Sequence, residues 1–300
     1  MRSASPLPLL SAAAAIGVAS PAHAADPTLP GALAVGGAVR ADPQSLTSIA
    51  TSPAMMAMDR RYSLDLAGRF GSQRELTGQA AISDSMTSRV ALGLLFAYNR
   101  TIPERPPASE LPGWKLPDED LESRRHRLSV GGGIAGAWLD RKLALGANVF
   151  YHHTSTTYQE GGGVVDLGAS LGLRLADPVV LAVVAENVVP HADFDDAPAR
   201  VGGGLRWTPD GRSGMEVDLL SDLDAAGGPA LVVNTGARAW VAEKYELAAG
   251  YSHEAGPGRN LITAGLGAGN AQGVLRYTFA APVGVETFSS QHAVGLRIDF

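Results

Sequence analysis

The sequence contains no cysteine among its 300 residues. Disulfide bonds, thiol catalysis, iron–sulfur clusters and cysteine-ligated zinc are therefore excluded. No run of about 18 apolar residues occurs outside the N-terminal segment, so the rest of the chain cannot cross a bilayer as helices. The formal net charge of -6 is opposite in sign to what a nucleic-acid-binding surface requires. Hydrophobic residues still make up 45% of the chain, which is too many for a disordered protein.

The N-terminus has the pattern of a secretory signal peptide. Arg2 supplies positive charge, residues 7–18 are small and apolar, and Ala22-His23-Ala24 is an Ala-x-Ala cleavage site. A short buried helix is the alternative interpretation. No cysteine follows the cleavage site, so we do not expect a lipoprotein. We predict that residues 1–24 are removed and that the protein leaves the cytoplasm.

Apolar and polar residues alternate along most of the remaining chain. In one segment Val90, Leu92 and Leu94 share a face, while Ala91 and Gly93 occupy the other. Strict alternation over about ten residues is typical of β-strands whose two faces meet different surroundings. About fourteen such segments occur, within a range of about 12–16. They begin near residues 61, 76, 87, 124, 141, 163, 178, 198, 213, 229, 244, 259, 272 and 291.

Charge is confined to one face of each predicted strand. A lipid-facing arginine at mid-bilayer would cost about 2–4 kcal/mol, so the charge-free face suits lipid and the other suits a wet lumen. Short links alternate with longer ones, one of them predicted at residues 152–162, as in barrels with periplasmic turns and outer loops. We therefore predict an all-β fold, a transmembrane antiparallel β-barrel over residues 61–300. A soluble periplasmic β-protein is the alternative.

The charged side chains on the inward face are predicted to line the lumen. We expect them chiefly to form cross-strand ion pairs that brace the wall, although a solute path is the other possibility. These residues are Asp65, Arg69, Arg89, Arg127, Asp166, Arg174, Glu186, Arg206, Glu216, Asp218, Arg238, Glu246, Arg276 and Arg297. Trp240 shares their parity and does not fit an aromatic girdle at the membrane interface.

The last strand ends on an aromatic residue. Val294, Leu296, Ile298 and Phe300 form one apolar face. This face resembles the C-terminal assembly signal of outer-membrane barrels, which the barrel-assembly machinery recognises as an unpaired strand; an exposed strand edge invites strand addition. An ordinary edge strand is the alternative. The predicted partners are thus outer-membrane lipid and, during biogenesis, that machinery.

Two segments before the first strand resemble a known family. Gly36-Gly37-Ala38-Val39-Arg40 and residues 48–58, with Ser52-Pro53-Ala54, are similar to the N-terminal segment of the long-chain fatty-acid transporter (FadL-like) superfamily, which includes secretion-associated relatives. In that group a Gly/Ala stretch precedes an Asn-Pro-Ala motif and a short helical segment. The resemblance implies a fourteen-stranded barrel in which residues 25–60 form a partly helical hatch or periplasmic lead. Ser52 stands where the family has Asn.

Several motifs suggest chemistry but lie in the wrong context. The G-x-G-x-x-G at residues 131–136 and the G-x-S-x-G around Ser170 fall inside predicted strands, whereas a dinucleotide loop or a nucleophile elbow needs a strand-to-helix turn. His152 and His153 point to opposite faces of a strand and are expected to be a solvated pair. The acidic patches at residues 117–120 and 193–196 are expected to be solvated loop charge. No catalytic, cofactor or metal site is predicted.

The preferred function is an outer-membrane channel or transporter for an unidentified small solute in a Gram-negative bacterium. The fatty-acid substrate of the family is not carried over, because inward apolar residues are few: Leu95, Val180, Val184 and Val274. The main alternative is a non-conducting barrel that serves as a scaffold for an envelope or secretion partner. An outer-membrane lipase or esterase is a further alternative. No cofactor and no nucleic-acid partner are expected, and the protein is not expected to be an enzyme.

Overall fold

The computed structural model describes residues 29–71, 75–101, 125–156, 159–189, 199–223, 228–255, 258–270, 272–284 and 290–300. The predicted signal peptide lies outside these ranges, and so do the acidic patches at residues 117–120 and 193–196. Across the described ranges, none of the helices has both the length and the apolar character needed to span a membrane.

The described residues form fourteen β-strands that close into one barrel. Each strand pairs antiparallel with its sequence neighbours, and the first pairs with the last. The strands are β1 (Tyr62–Gly71), β2 (Leu76–Asp84), β3 (Val90–Thr101), β4 (Arg125–Trp138), β5 (Leu143–Thr156), β6 (Gln159–Ala176), β7 (Val179–Glu186), β8 (Arg200–Trp207), β9 (Gly214–Asp222), β10 (Ala230–Val241), β11 (Tyr245–Glu254), β12 (Arg259–Asn270), β13 (Gly273–Pro282) and β14 (Gln291–Asp299). The predicted fold class and strand number are confirmed.

One predicted loop is wrong. β5 continues to Thr156 and β6 already begins at Gln159, so the sheet extends through most of residues 152–162. Thr154 pairs with Gly162, and a register shift follows before Thr156 pairs with Gln159. Apolar alternation stops earlier than the hydrogen-bonded ladder, because threonine favours strands without being apolar and glycine has no side chain to alternate.

The connections differ at the two ends of the barrel. The turn end carries the start of β1, the end of β14 and connections such as residues 139–142, 177–178 and 242–244. The loop end carries longer connections, among them residues 187–199 and 223–229. Short turns belong to the periplasmic side of bacterial barrels and longer loops to the outer side.

The outer face of the barrel is apolar and exposed. Leu92, Leu94 and Leu266 are 57%, 65% and 60% exposed, and similar side chains recur on every second position of the neighbouring strands. So large a continuous apolar surface is not compatible with water and requires a bilayer. Exposed aromatic residues at the turn end, including Trp138 and Trp207, are placed for the membrane interface.

The last strand contributes to this outer face. Val294, Leu296 and Phe300 are exposed on it, while Ile298 is half-buried. The backbone N–H of Phe300 donates to the carbonyl of Tyr62 at 2.8 Å, and the two rings meet edge to face at 5.5 Å. β14 thus closes the barrel against β1, and its role in assembly stays a prediction.

Residues 29–60, here called the hatch segment, fold inside the barrel. They contain helix α1 (Pro30–Leu33), helix α2 (Ser48–Thr51) and a 3₁₀ helix (Pro53–Ala57). Pro53 limits α2, because the residue before a proline is forced out of the helical region; Ser52 accordingly has φ −152° and ψ 70°. Proline is in turn well suited to the first position of the 3₁₀ helix that follows.

The interior of the barrel has two different halves. Ile49, Met55 and Met56 of the hatch segment pack with Leu95 and Phe150 of the β3–β6 wall in one buried apolar cluster. The wall from β7 to β14 faces the hatch segment mainly with charged and hydroxyl side chains. The core of this membrane protein therefore lies in the lumen, between the hatch segment and the wall.

Candidate functional site

Arg40 lies at the centre of the charged half of the lumen. Its guanidinium donates to Glu186 of β7 from Nε at 2.8 Å and from Nη2 at 3.1 Å. The backbone N–H groups of Val39 and Arg40 donate to Oδ2 of Asp218 on β9 at 2.9 and 3.2 Å. Charge-assisted bonds of this kind are roughly twice as strong as neutral ones. They hold the middle of the hatch segment against β7 and β9.

Asp42 forms the second charged anchor of the hatch segment. Its carboxylate is hydrogen-bonded to Arg206 of β8 and lies 3.6 Å from Nη1 of Arg238 on β10. Burial would raise the pKa of Asp42, but the two guanidiniums and the backbone N–H of Gln44 outweigh it and lower the pKa to about 2. Asp42 is therefore an anion at any physiological pH.

Further ion pairs extend these anchors along the wall near the turn end. Glu246 of β11 accepts from Nη2 of Arg276 at 2.8 Å and lies 3.4 Å from Nε of Arg238. Arg206 also lies 3.4 Å from Glu216. From β7 to β11 the charges of neighbouring strands thus alternate in sign, which limits the cost of burying them.

A second level of polar pairs lies toward the loop end. Arg69 donates to Glu75 at 2.8 Å, and Glu254 lies 3.4 Å from Arg200 and 3.5 Å from Arg259. These pairs connect strands to one another and not to the hatch segment.

The β4–β6 wall carries a polar triplet at the same level. Ser129 Oγ lies 2.7 Å from Nδ1 of His152, and Nε2 of His152 lies 3.1 Å from Oδ2 of Asp166. His152 is therefore buried in the wall, and the expectation of a solvated pair is wrong for it. The order of groups matches a serine-hydrolase triad, but the strand ladder occupies the backbone N–H groups that an oxyanion would need.

The apolar half of the hatch segment is fixed by side chains of β5 and β6. Nδ2 of Asn148 donates to the carbonyls of Ile49 and Ala50 at 3.0 and 2.6 Å. The backbone N–H of Ala54 donates to Ser170 Oγ at 2.8 Å. Ser170, the serine of the G-x-S-x-G motif, thus holds the hatch segment.

The predicted hatch motif lies at this contact. Ser52, Pro53 and Ala54 of the hatch segment are all buried where the segment packs against the wall. The hydroxyl of Ser52 makes no hydrogen bond to any described residue. The glycines of the G-x-G-x-x-G motif lie in β4, and a Cβ added at Gly133 would lie 3.3 Å from Cβ of Pro53. Close packing against the hatch segment therefore accounts for this glycine.

Most of the predicted lumen residues point inward and are buried. These are Asp65, Arg69, Arg127, Asp166, Glu186, Arg206, Glu216, Asp218, Arg238, Glu246, Arg276 and Arg297. Arg174 is half-buried near the turn end, where it donates to Asp59 at 2.6 Å. Arg89 is exposed and does not line the lumen. Its parity is correct, but β3 begins one residue later, at Val90, so Arg89 lies in the preceding turn.

Sequence reasoning missed the main anchors from the hatch segment. The sequence pattern places Arg40 only in a family-like stretch, and it predicts no role for Asp42. The signal for both is a pair of opposite charges within the otherwise small and apolar residues 36–43. Within the described ranges, no group of three or more histidine, aspartate or glutamate side chains is placed to hold a metal ion.

Comparison with known proteins identifies solved structures with a similar fold. No protein-family model matches the sequence, and no curated protein is similar to it in sequence. A FadL homologue from Pseudomonas aeruginosa is similar in structure, with a TM-score of 0.65 and 10% identity over 91% of this chain and 98% of that one. The toluene transporter TbuX of Ralstonia pickettii has a TM-score of 0.64 and 14% identity, over 91% of this chain and 97% of that one.

A third structure agrees with these two. The toluene transporter TodX of Pseudomonas putida has a TM-score of 0.62 and 15% identity, over 89% of this chain and 96% of that one. At such low identity the similarity concerns the fold alone. The resemblance predicted from the sequence is confirmed at that level: this chain has the fold of the FadL-like barrels.

Proposed function

We propose that this protein is an outer-membrane channel for a small solute, closed at rest by its hatch segment. One observation carries the proposal. The fourteen strands close into a barrel without the hatch segment, and the hatch segment then fills the lumen. Solved structures with the same fold include two described as toluene transporters, which supports transport and an outer-membrane location.

The hatch segment is attached in a way that permits its release. None of its described residues pairs with a strand of the barrel. Its contacts run instead through wall side chains such as Asp218, Asn148 and Ser170. The segment can therefore leave its position without breaking a single ladder hydrogen bond, whose loss within a membrane would cost several kcal/mol per group.

The lumen favours a polar solute over a hydrocarbon chain. Leu95, Val180, Val184 and Val274 do face inward and are buried, but three of them pack in the cluster that holds the hatch segment. Most of the remaining inner wall carries ion pairs and hydroxyl groups. A long acyl chain would have to replace the hydration of these groups with apolar contact, which is unfavourable.

Conductance in planar bilayers tests the proposal. The wild-type barrel is expected to be mostly closed, and a variant lacking residues 29–58 is expected to conduct continuously. Heat-modifiable migration on a gel verifies that the shortened barrel is folded. A folded barrel without the hatch segment that passes no ions would refute the channel and favour the non-conducting scaffold.

A reversible lock provides a second test that leaves the chain intact. Pro53→Cys and Gly133→Cys place two Cβ atoms about 3.3 Å apart, close to the 3.5–4.5 Å of a disulfide. The protein has no other cysteine that could compete. The oxidised double variant should stay closed and open only after reduction, whereas each single variant should not respond to oxidant.

The enzyme alternative finds no support at Ser170. Its oxygen already accepts the N–H of Ala54 and is buried beneath the 3₁₀ helix. Ser170→Ala and Ser129→Ala variants are expected to leave any background ester hydrolysis unchanged. Loss of hydrolysis in either variant would establish a barrel hydrolase instead.

A further inference from the structure

A cavity of about 480 Å³ lies at the turn end of the barrel, between the hatch segment and the β10–β14 wall. Its volume falls in the range of roughly 300–1,000 Å³ that small-molecule sites occupy. Arg60, Arg212 and Asn270 at its rim are exposed, so solutes reach it from outside the barrel. Its lining includes Arg60, Arg61, Arg212, Trp240 and Val274.

The two carboxylates of the cavity are already neutralised. Asp59 accepts from Arg174 at 2.6 Å, and Asp299 accepts from Arg297 at 2.9 Å. Arg276, also in the lining, is paired with Glu246 at 2.8 Å. These groups therefore add little net charge to the cavity.

The other three arginines of the lining have no such partner. The guanidiniums of Arg60, Arg61 and Arg212 form no ion pair and no hydrogen bond with any residue in the described ranges. Arg61 is half-buried, and this burial, followed by repulsion from Arg297, lowers its pKa to about 9 despite nearby carboxylates. A guanidinium remains protonated at neutral pH, so the cavity holds three cations that form no ion pair with a described residue.

Trp240 adds an apolar, planar surface to the same cavity. Its parity places it inward, which explains why it does not fit the aromatic girdle. Its backbone N–H donates to Ser213 Oγ at 3.2 Å, which ties the end of β10 to the turn before β9. Val274 contributes a second apolar surface. The cavity thus combines unpaired planar cations with an aromatic face.

We propose that this cavity binds a small organic anion, a carboxylate on a planar apolar body. The guanidiniums of Arg60, Arg61 and Arg212 pair with the carboxylate, since their planar forks match its two oxygens. Trp240 and Val274 contact the apolar body. The assignment rests on the proposed channel, for which it names the solute class and a binding site at the periplasmic exit.

Calorimetric titration of the full-length protein in detergent tests the assignment. Benzoate is the probe, and benzamide is its neutral counterpart of nearly the same shape. Benzoate is expected to bind, and benzamide to bind at least about tenfold more weakly, because only benzoate forms charge-assisted bonds. Inorganic phosphate tests for a general anion site and is expected to bind more weakly than benzoate, since it gains nothing from Trp240.

Three substitutions locate the site. Arg61→Gln is expected to weaken benzoate binding about tenfold or more. Arg212→Gln, in an exposed turn where folding does not depend on it, is expected to act in the same direction. Arg89→Gln is the matched control, because Arg89 is an exposed arginine in another turn at the same end and does not line the cavity.

The results separate this inference from the channel itself. Equal binding of benzoate and benzamide, equal binding of phosphate, or benzoate binding that survives both Arg61→Gln and Arg212→Gln would overturn the site. The absence of benzoate binding would overturn it as well. Each of these outcomes leaves the conductance of the hatch-deleted barrel untouched, so the channel can stand where the anion site fails.

Discussion

Replacing Gly146 with alanine would show whether the hatch segment is fitted to the barrel wall. Gly146 lies on the inner face of β5, where an added Cβ would lie 2.6 Å from the carbonyl carbon of Pro53 and 2.9 Å from Cα of Ala54. Both are backbone atoms, so no rotation of a side chain can relieve the overlap. The backbone N of Ala54 would lie closer still, so the 3₁₀ helix must retreat by about 1 Å to restore an ordinary contact of 3.4 Å.

The cost of this movement can be bounded. Overpacking of a close-packed interior by one methyl group costs about 1–3 kcal/mol. The same movement lengthens the 2.8 Å bond from Ala54 to Ser170 Oγ, and losing that bond would cost about 0.5–1.5 kcal/mol more. A total of about 1.5–4.5 kcal/mol corresponds to a shift of roughly 10-fold to 1,600-fold toward the released hatch segment.

Single-channel recording measures that shift as an increase in open probability. Gly78→Ala is the matched control, because Gly78 lies on the outer face of β2, where an added Cβ meets nothing within 4 Å. Gly146→Ala should open more often than the wild type and Gly78→Ala should not. If the Gly146→Ala barrel folds normally, as judged by heat-modifiability, and stays as closed as the wild type, the hatch segment does not rest against β5 and the reasoning fails.

Three further predictions concern the charges and the C-terminus. The pKa of Asp42 is lowered to about 2 in the docked hatch segment, so its stabilising contribution is complete above its ordinary pKa of 3.8 and is lost as the pH falls from there toward 2. Open probability should rise over that range by more in the wild type than in Asp42→Asn; equal profiles would contradict this. Arg40→Met leaves the carboxylate of Glu186 buried and unpaired, which costs about 3–5 kcal/mol, and should expose the hatch segment to protease; Arg89→Met should not. Deleting Phe300 removes a terminal residue that contacts Tyr62 and should reduce the folded yield in membranes, which a normal yield would disprove.

The strands could be predicted because their signal is local. Alternation of apolar and polar residues is enforced at every position by lipid on one side and the lumen on the other. Predicted starts lie within two residues of the observed ones except for β3 and β6. At β3 the error placed Arg89 in the lumen. At β6 a glycine-rich stretch, Gly161 to Gly163, removed the alternation although the ladder persists.

The contacts inside the lumen could not be predicted in the same way. Arg40 and Glu186 are separated by 146 positions in sequence, and no local pattern indicates that they meet. The contacts between inward glycines and the hatch segment likewise depend on the path of that segment through the lumen. One inward residue did carry a usable signal: Trp240 broke the expected aromatic pattern, and it lines the cavity at the turn end.

The two halves of the lumen contribute differently to closure. Burial of Ile49, Met55 and Met56 against β3–β6 favours docking, since apolar surface gains free energy on leaving water. The ion pairs of the other half gain much less, because desolvation offsets their attraction, but they fix the position of the segment.

The anion site touches this second half. Gln44 and Asp59 belong to the hatch segment and line the cavity, and Arg297 of the cavity is hydrogen-bonded to the carbonyl of Gln44. An anion that draws Arg297 toward itself would therefore compete with a contact that positions the hatch segment. A ligand shifts the equilibrium between the closed and the open barrel only if its affinity for the two states differs. The competition for Arg297 would supply that difference. The coupling should appear as benzoate raising the open probability of the wild type and leaving the barrel without residues 29–58 unchanged.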